Sequence, residues 1–371
     1  MTLQERIADP SAMLTRVDAV ATNDLKPLTR EIDAGLYPED IMRAFGTAGA
    51  YGSHVAPEIG AEDMDMGQTI QAIARAGEHC ISTAFCMWCQ NALAWYVGSS
   101  DNAALKATLL PKVARGEALG GTGLSNPMKT FFGIEKMRLK GTRVDGGYRV
   151  KGALPWVSNV GEDGYFGIVF SVEDGAQVKH IMAVARGDQT GVKTALDHDF
   201  MSMAGTATRT VQFRDALIED TFVLSDPIDG YLQKIRPGFV LMQTGMALGM
   251  IRSSIALMEQ VGGPLGHVNK YLEKQPEDFQ ALLDELEDEI MELAKTPYDT
   301  SISYFRRVVT ARLRGGEAST EAAHFAMLHC GARGFVSQGE AQRRLRESYF
   351  IAVVTPATKQ LRKMLADLPA A

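Results

Sequence analysis

The chain has 371 residues, 46% of them hydrophobic and 22% charged, with a formal net charge of −7 at pH 7. That length allows two or three domains and a sizeable core. The mild acidity argues against a nucleic-acid partner, whose phosphates require a basic excess or stripe. No continuous apolar run reaches the ~18 residues a membrane-spanning helix needs, and the N-terminus lacks a basic segment followed by an apolar one, so a cytoplasmic protein with no membrane association is expected.

Residues 1–118 place apolar side chains three and four apart between turn signals at Gly52, Pro57 to Gly60 and Gly98 to Asp101, a pattern that predicts several helices. Within them, ISTAFCMWCQNALAWYV reads as one buried helix. It contains Cys86-Met-Trp-Cys89, the C-x-x-C spacing of redox and zinc sites. A redox dithiol belongs at a strand-to-helix turn and a zinc site needs a second pair, so these cysteines read as reduced, packed thiols. The seven histidines are scattered; His324 and His329, at i and i+5, share no helical face, and no metal site is expected.

Residues 119–227 change period. MRLKGTRV, GYRVKG, GYFGIVFSV, HIMAVAR, GVKTAL and TRTVQFRDALI are short runs rich in β-branched and aromatic residues, separated by Asp-Gly and Gly-Gly turns. They predict a small antiparallel barrel or sandwich. From 228 to 371 the helical period returns in DFQALLDELEDEIMELA and STEAAHFAMLHCG. The expected fold is α+β and multidomain: an N-terminal helical domain, a middle antiparallel β-barrel and a C-terminal helical bundle.

The stretch from Pro111 to Asn159 carries the chemistry. It reads PKVARGEALGGTGLSNP and, some twenty residues on, GGYRVKGALPWVSN. This order resembles the middle domain of the acyl-CoA dehydrogenase superfamily, where a P-x-x-x-x-G-E segment, a T-E-P-type loop and a W-x-T segment wall a flavin ring. The likeness extends to AYGSHVAPEIGAEDMDM, with Ala61 in place of a usual glycine, to TATRTVQFRDALIEDTFVL, to GMALGMIRSSIALM, and to HCGARGF with RRLRES. It implies FAD or FMN as cofactor, with contacts from Leu124 and Ser125 of LSNP and from Trp156, Val157 and Ser158 of WVSN. A buried isoalloxazine needs an apolar wall, which Trp156 can give, and partners for its polar edges, for which Ser125 and Ser158 read as donors. The plainer reading of each residue alone is a barrel aromatic and two turn serines.

Departures from the family pattern bear on the reaction. Dehydrogenation of an acyl thioester needs a carboxylate to take the α-proton. Aligning RESYFIAVVTPATKQLRKML on Arg346 puts Thr355-Pro356-Ala357 where the family has Glu-Gly-Thr, and no Asp or Glu occurs from Gly230 to Met258, the alternative place. The family's Arg-x-x-Phe-Gly clamp on the FAD pyrophosphate falls on Leu265 to Asn269, and its Gln on Leu328. Met128 to Gly133 replaces a Gly-Ser-Asp on the CoA side.

Three readings follow. One is a monooxygenase using reduced flavin from a partner reductase; such chemistry wants a water-poor pocket without a carboxylate beside the ring. The second is an acyl-CoA dehydrogenase or reductase with a displaced base, served by an electron-transfer flavoprotein. The third is a non-catalytic member that binds an acyl group or a subunit. A small-molecule substrate, including a CoA thioester, is expected, and the Leu, Met and Ala content of residues 236–260 suits a buried helix of a homodimer or homotetramer.

Overall fold

The computed structural model describes residues 1–175 and 177–369. Among the described residues, seven α-helices open the chain: α1 (Leu3–Ala8), α2 (Pro10–Val20), α3 (Thr29–Asp33), α4 (Glu39–Ala48), α5 (Met66–Gly77), α6 (Ile81–Ser99) and α7 (Ala103–Ala114). The α6 sequence carries no charged side chain and shows no polar face, because all 19 of its residues are buried. Cys86 and Cys89 lie inside it as free thiols, and burial pushes both well above the usual thiol range, which leaves them unreactive. Among the described residues no group of His, Cys, Asp and Glu could hold a metal ion.

The sheet follows, built from β1 (Gly120–Thr122), β2 (Lys140–Val144), β3 (Gly147–Val157), β4 (Tyr165–Asp174), β5 (Gln177–Arg186), β6 (Val192–Ala195), β7 (Arg209–Glu219) and β8 (Val223–Ser225), with the short helix α8 (Ser125–Phe131) between β1 and β2. Its order is β6-β7-β3-β2-β4-β5-β8, with β1 beside β4. The expected all-antiparallel arrangement needs correction: β1 and β2 each pair with β4 in parallel, so the sheet is mixed. Gly120 and Gly121 permit the β1 contact, since a Cβ on either would lie 2.0 Å from a carbonyl oxygen, of Tyr165 or of Ser158. The sheet encloses its own core around Phe166, Phe170, Ile181 and Phe213.

Among the described residues, six α-helices close the chain: α9 (Asp229–Leu241), α10 (Thr244–Asn269), α11 (Pro276–Ala294), α12 (Ile302–Cys330), α13 (Glu340–Val353) and α14 (Thr358–Asp367). They share one continuous core with the N-terminal helices. At the α5–α10 crossing, a Cβ on Gly249 would meet the Ala74 carbonyl oxygen at 2.5 Å, so the backbones approach directly. The stretch Asp229–Asn269 is long and apolar enough to cross a membrane by length and composition. Its longest segment between charged residues, Pro237 to Ile251, is itself interrupted by Gln243 and Thr244, so it holds no continuous apolar run of ~18 residues. Most of that stretch is buried inside the protein, which accounts for its apolarity as core packing.

Candidate functional site

One cavity of about 850 Å³ lies between the sheet and the helices. The sheet side contributes Thr122, Trp156, Ser158 and Thr208. The helical side contributes Phe85 and Trp88 of α6, Phe239 of α9, Phe350 of α13 and the turn from Val354 to Ala357. Its size falls in the ~300–1,000 Å³ range of small-molecule sites.

Local sequence explains how Trp156 comes to face it. Pro155 has no N–H to give to the ladder, and the β3–β7 register slips between Leu154 and Val157. Trp156 is thereby released from pairing and stays 42% exposed. Its ring is backed by His198, with centroids 4.4 Å apart and planes at 27°. His198 Nε2 lies 2.7 Å from the Pro155 carbonyl, an acceptor, so that nitrogen carries the proton, and the imidazole is pinned behind the indole. Phe200, at 5.8 Å, completes the aromatic group on the cavity rim. Just beyond, Asn159 adopts φ 58° and is buried. Its amide accepts from Tyr37 Oη at 2.9 Å and donates to the Gly120 carbonyl at 2.6 Å, which fixes the end of β3 against β1.

The hydroxyls around Ser158 form a directed chain. Thr206 Oγ1 donates to the Met203 carbonyl at 2.8 Å, so it must accept from Thr208 Oγ1, also at 2.8 Å. Thr208 has then used its proton and accepts from Ser158 Oγ at 2.8 Å. Ser158 therefore offers lone pairs to the cavity, which makes it an acceptor there rather than the expected donor. Met203 and Ala207, both at positive φ, bracket the segment that holds Thr206, so this chain is built on backbone other L-residues rarely adopt.

Ser125 opens α8 and meets Thr355 Oγ1 at 3.1 Å; in that pair one hydroxyl donates and the other keeps its proton for a ligand. Leu124 and Val157 do not line the cavity. Leu124 is 2% exposed, and its N–H and carbonyl are bonded to Thr122 Oγ1 and the Met128 N–H. Val157 is fully buried in the sheet core. Both shape the walls only. The LSNP segment, expected as a loop, instead opens the helix α8.

Thr355 stands in the cavity, within the break between α13 and α14, and that break is held from behind. The Ile351 carbonyl, left without a helical partner at the end of α13, accepts from Arg312 Nη2. Arg312 Nε donates to Gln243 Oε1 at 2.8 Å, and Gln243 Nε2 donates to the Thr355 carbonyl at 2.9 Å. One carboxylate, Glu135, lines the cavity among the described residues. Its partial burial alone would raise its pKa. Hydrogen bonds from Lys129 (3.1 Å) and Asn126 (3.2 Å), with the Lys129 and Arg138 charges, outweigh that and hold it below the usual carboxylate range.

Sequence reasoning found Trp156, Ser158, Ser125 and Thr355, and the structure brings all four to one cavity. It missed Phe85, Trp88, Phe350, Thr208, Glu135, Gln243 and Arg312. Phe85 and Trp88 stand in a helix with no polar face to orient them. Glu135 lies two residues past the Met128-to-Gly133 departure, which was the available signal for it.

Residues 8–117 match the acyl-CoA dehydrogenase N-terminal domain family. The human mitochondrial short-chain specific acyl-CoA dehydrogenase is 22% identical over 361 residues, spanning 93% of this chain and 86% of that one. Among solved structures, butyryl-CoA dehydrogenase from Megasphaera elsdenii superposes with a TM-score of 0.84 at 13% identity, covering 99% of this chain and 97% of that chain. Dibenzothiophene monooxygenase TdsC from Paenibacillus sp. A11-2, solved with FMN bound, superposes at 0.80 with 16% identity, covering 94% of this chain and 95% of that chain.

Proposed function

This chain belongs to the acyl-CoA dehydrogenase superfamily of flavoenzymes, and from that premise we propose that it is a reduced-flavin-dependent monooxygenase acting on a small organic substrate. The observation that supports this most is the side chain at position 355. A dehydrogenase needs a base within hydrogen-bond reach of the α-proton. The position that the resemblance assigns to that base is Thr355, whose hydroxyl is paired with Ser125, and α9 sends Phe239 into the cavity. The fold is shared by dehydrogenases and monooxygenases alike, so the choice rests on these side chains.

The cavity fits a flavin. Trp156 would wall the ring, Ser158 would accept from one of its N–H groups, and the Ser125–Thr355 pair would supply one donor. When bound in reduced form, the flavin supplies the electrons with which one oxygen atom of O₂ is transferred and the other leaves as water. The chain's own residues orient the ring and exclude water through Phe85, Trp88, Phe239 and Phe350. A flavin reductase would supply the reduced cofactor, and FMN or FAD would serve, since the pyrophosphate clamp positions hold Leu265 to Asn269 and Leu328.

A dehydrogenase reading keeps one candidate base, Glu135. Tied to Lys129 and Asn126 and held at low pKa, it is a poor proton acceptor at neutral pH. The test is to supply NADH, a flavin reductase, flavin and ¹⁸O₂ and to screen small organic compounds for ¹⁸O incorporation, beside an assay of saturated acyl-CoAs with an artificial electron acceptor. Incorporation of one labelled atom supports the proposal. Robust acyl-CoA oxidation that is abolished in Glu135→Gln would replace it with the second reading.

A further inference from the structure

Arg312 is 1% exposed, and its guanidinium bonds only neutral acceptors, the Gln243 side chain and the Ile351 carbonyl. Among the described residues it makes no ion pair. The chain treats its other deeply buried arginines differently: Arg343 and Arg344 both pair with the buried Glu347, at 3.0 and 3.6 Å. Burial lowers the pKa of Arg312 to about 10, which leaves it charged at neutral pH. Room for the guanidinium is made by Gly316, one turn along α12, where a Cβ would lie 2.8 Å from Nη1. Such a charge is costly to bury without a partner, and capping the Ile351 carbonyl needs only a neutral N–H donor.

The position of this charge suggests what it faces. Ala352 to Thr355, immediately after Ile351, form part of the cavity wall, so Arg312 lies one layer behind it. The cavity itself is lined by Lys129, Lys359 and Arg362 against the single carboxylate of Glu135, in a chain whose net charge is −7. Lys129 is paired with Glu135 and Arg362 with Glu317, and Lys359 makes no ion pair among the described residues. Cavity and backing layer together carry an excess of positive charge. An oxidised isoalloxazine ring is neutral, whereas the reduced ring readily loses a proton at neutral pH and becomes an anion.

Building on the reading above, we propose that the cavity selects its flavin as the reduced anion, and that Arg312 is the positioning residue whose un-neutralised charge sets this preference. Gln243 and the Thr355 backbone tie the guanidinium to the wall the ring would face. A site of this kind captures reduced flavin from a reductase and releases it once oxidised.

The test compares dissociation constants for oxidised FMN and for dithionite-reduced FMN, measured anaerobically by calorimetry on the purified full chain. The wild type should bind the reduced form more tightly. Arg312→Met should shrink the reduced-over-oxidised ratio on the order of tenfold, the size expected of a unit charge about one side-chain layer away in a medium of effective dielectric ~20. Arg312→Lys should largely keep the ratio. Gln243→Glu sets a carboxylate against the guanidinium and should shrink the ratio as Arg312→Met does, which decides the matter if Arg312→Met fails to fold. A purely structural cap would weaken both forms equally; an unchanged ratio in a folded Arg312→Met or Gln243→Glu, or an equal loss in Arg312→Lys, overturns the proposal. Failure of the wild type to bind either form refutes instead the flavin site on which it rests.

Discussion

Trp156→Ala probes the proposed flavin wall with little collateral effect on the fold. The indole is backed by His198 and is 42% exposed, so its unburied area is available to a ligand. For a side chain of up to ~250 Å², that amounts to roughly 100 Å², and covering it at about 25 cal/mol/Å² gives ~2.5 kcal/mol. Ring stacking adds about 1 kcal/mol, while incomplete coverage subtracts a similar amount, so a loss of ~2–3 kcal/mol is expected. That corresponds to a Kd raised ~30- to ~150-fold. Titration of FMN and FAD by flavin fluorescence, with near-ultraviolet circular dichroism as a control for folding, measures it. Folded Trp156→Ala binding flavin within about threefold of wild type would refute the placement of the ring against this side chain.

The wild type should not oxidise butyryl- or octanoyl-CoA with an artificial acceptor at appreciable rates, and Thr355→Glu should introduce a trace of that activity, readable as acceptor bleaching. Without the Arg-x-x-Phe-Gly clamp, whose charge-assisted hydrogen bonds would favour the adenylate half of FAD, calorimetry should give FMN and FAD affinities within about tenfold. Gly249→Ala should lower the denaturant midpoint, with a loss of about 1–3 kcal/mol from overpacking, because the new methyl meets the Ala74 carbonyl at 2.5 Å. Burial lowers the His54 pKa to about 4, against a hydrogen bond to the Asn91 carbonyl that raises it. The unfolded chain therefore binds the proton first, and stability should fall as pH drops from ~6.5 towards ~4, a slope that His54→Gln flattens in pH-dependent denaturation.

The three-region architecture was legible because it is written in local periodicity: spacings of three and four, then two, then three and four again. Parallel pairing of β2 with β4 was not, since no turn chemistry links strands that are not joined by a hairpin. The site was half legible. Trp156, Ser158, Ser125 and Thr355 lie in segments whose order can be read directly. The donor or acceptor state of Ser158 is decided by Thr208, 50 residues away, and by a carbonyl at the far end of the hydroxyl chain. Likewise Gln243, Arg312 and Ile351 meet across separations of 69 and 39 residues, and nothing near any one of them announces the others.

The hydroxyl at position 355 and the lone charge at 312 are best understood together. A glutamate at 355 would share its backbone with the carbonyl that Gln243 holds, and that carbonyl stands two hydrogen bonds from the Arg312 guanidinium, which has no counter-ion among the described residues. In that arrangement the carboxylate would be stabilised as an anion and the arginine neutralised. On the proposed reading, threonine in place of such a carboxylate leaves the arginine charge without its partner, so the lack of a base at 355 and the lone cation at 312 would share one cause. Thr355→Glu thus has a second expected effect beyond any trace of dehydrogenation. By supplying the missing anion it should reduce the preference for reduced over oxidised FMN in the same direction as Gln243→Glu. If Thr355→Glu stays folded and keeps the wild-type ratio, position 355 and Arg312 act independently.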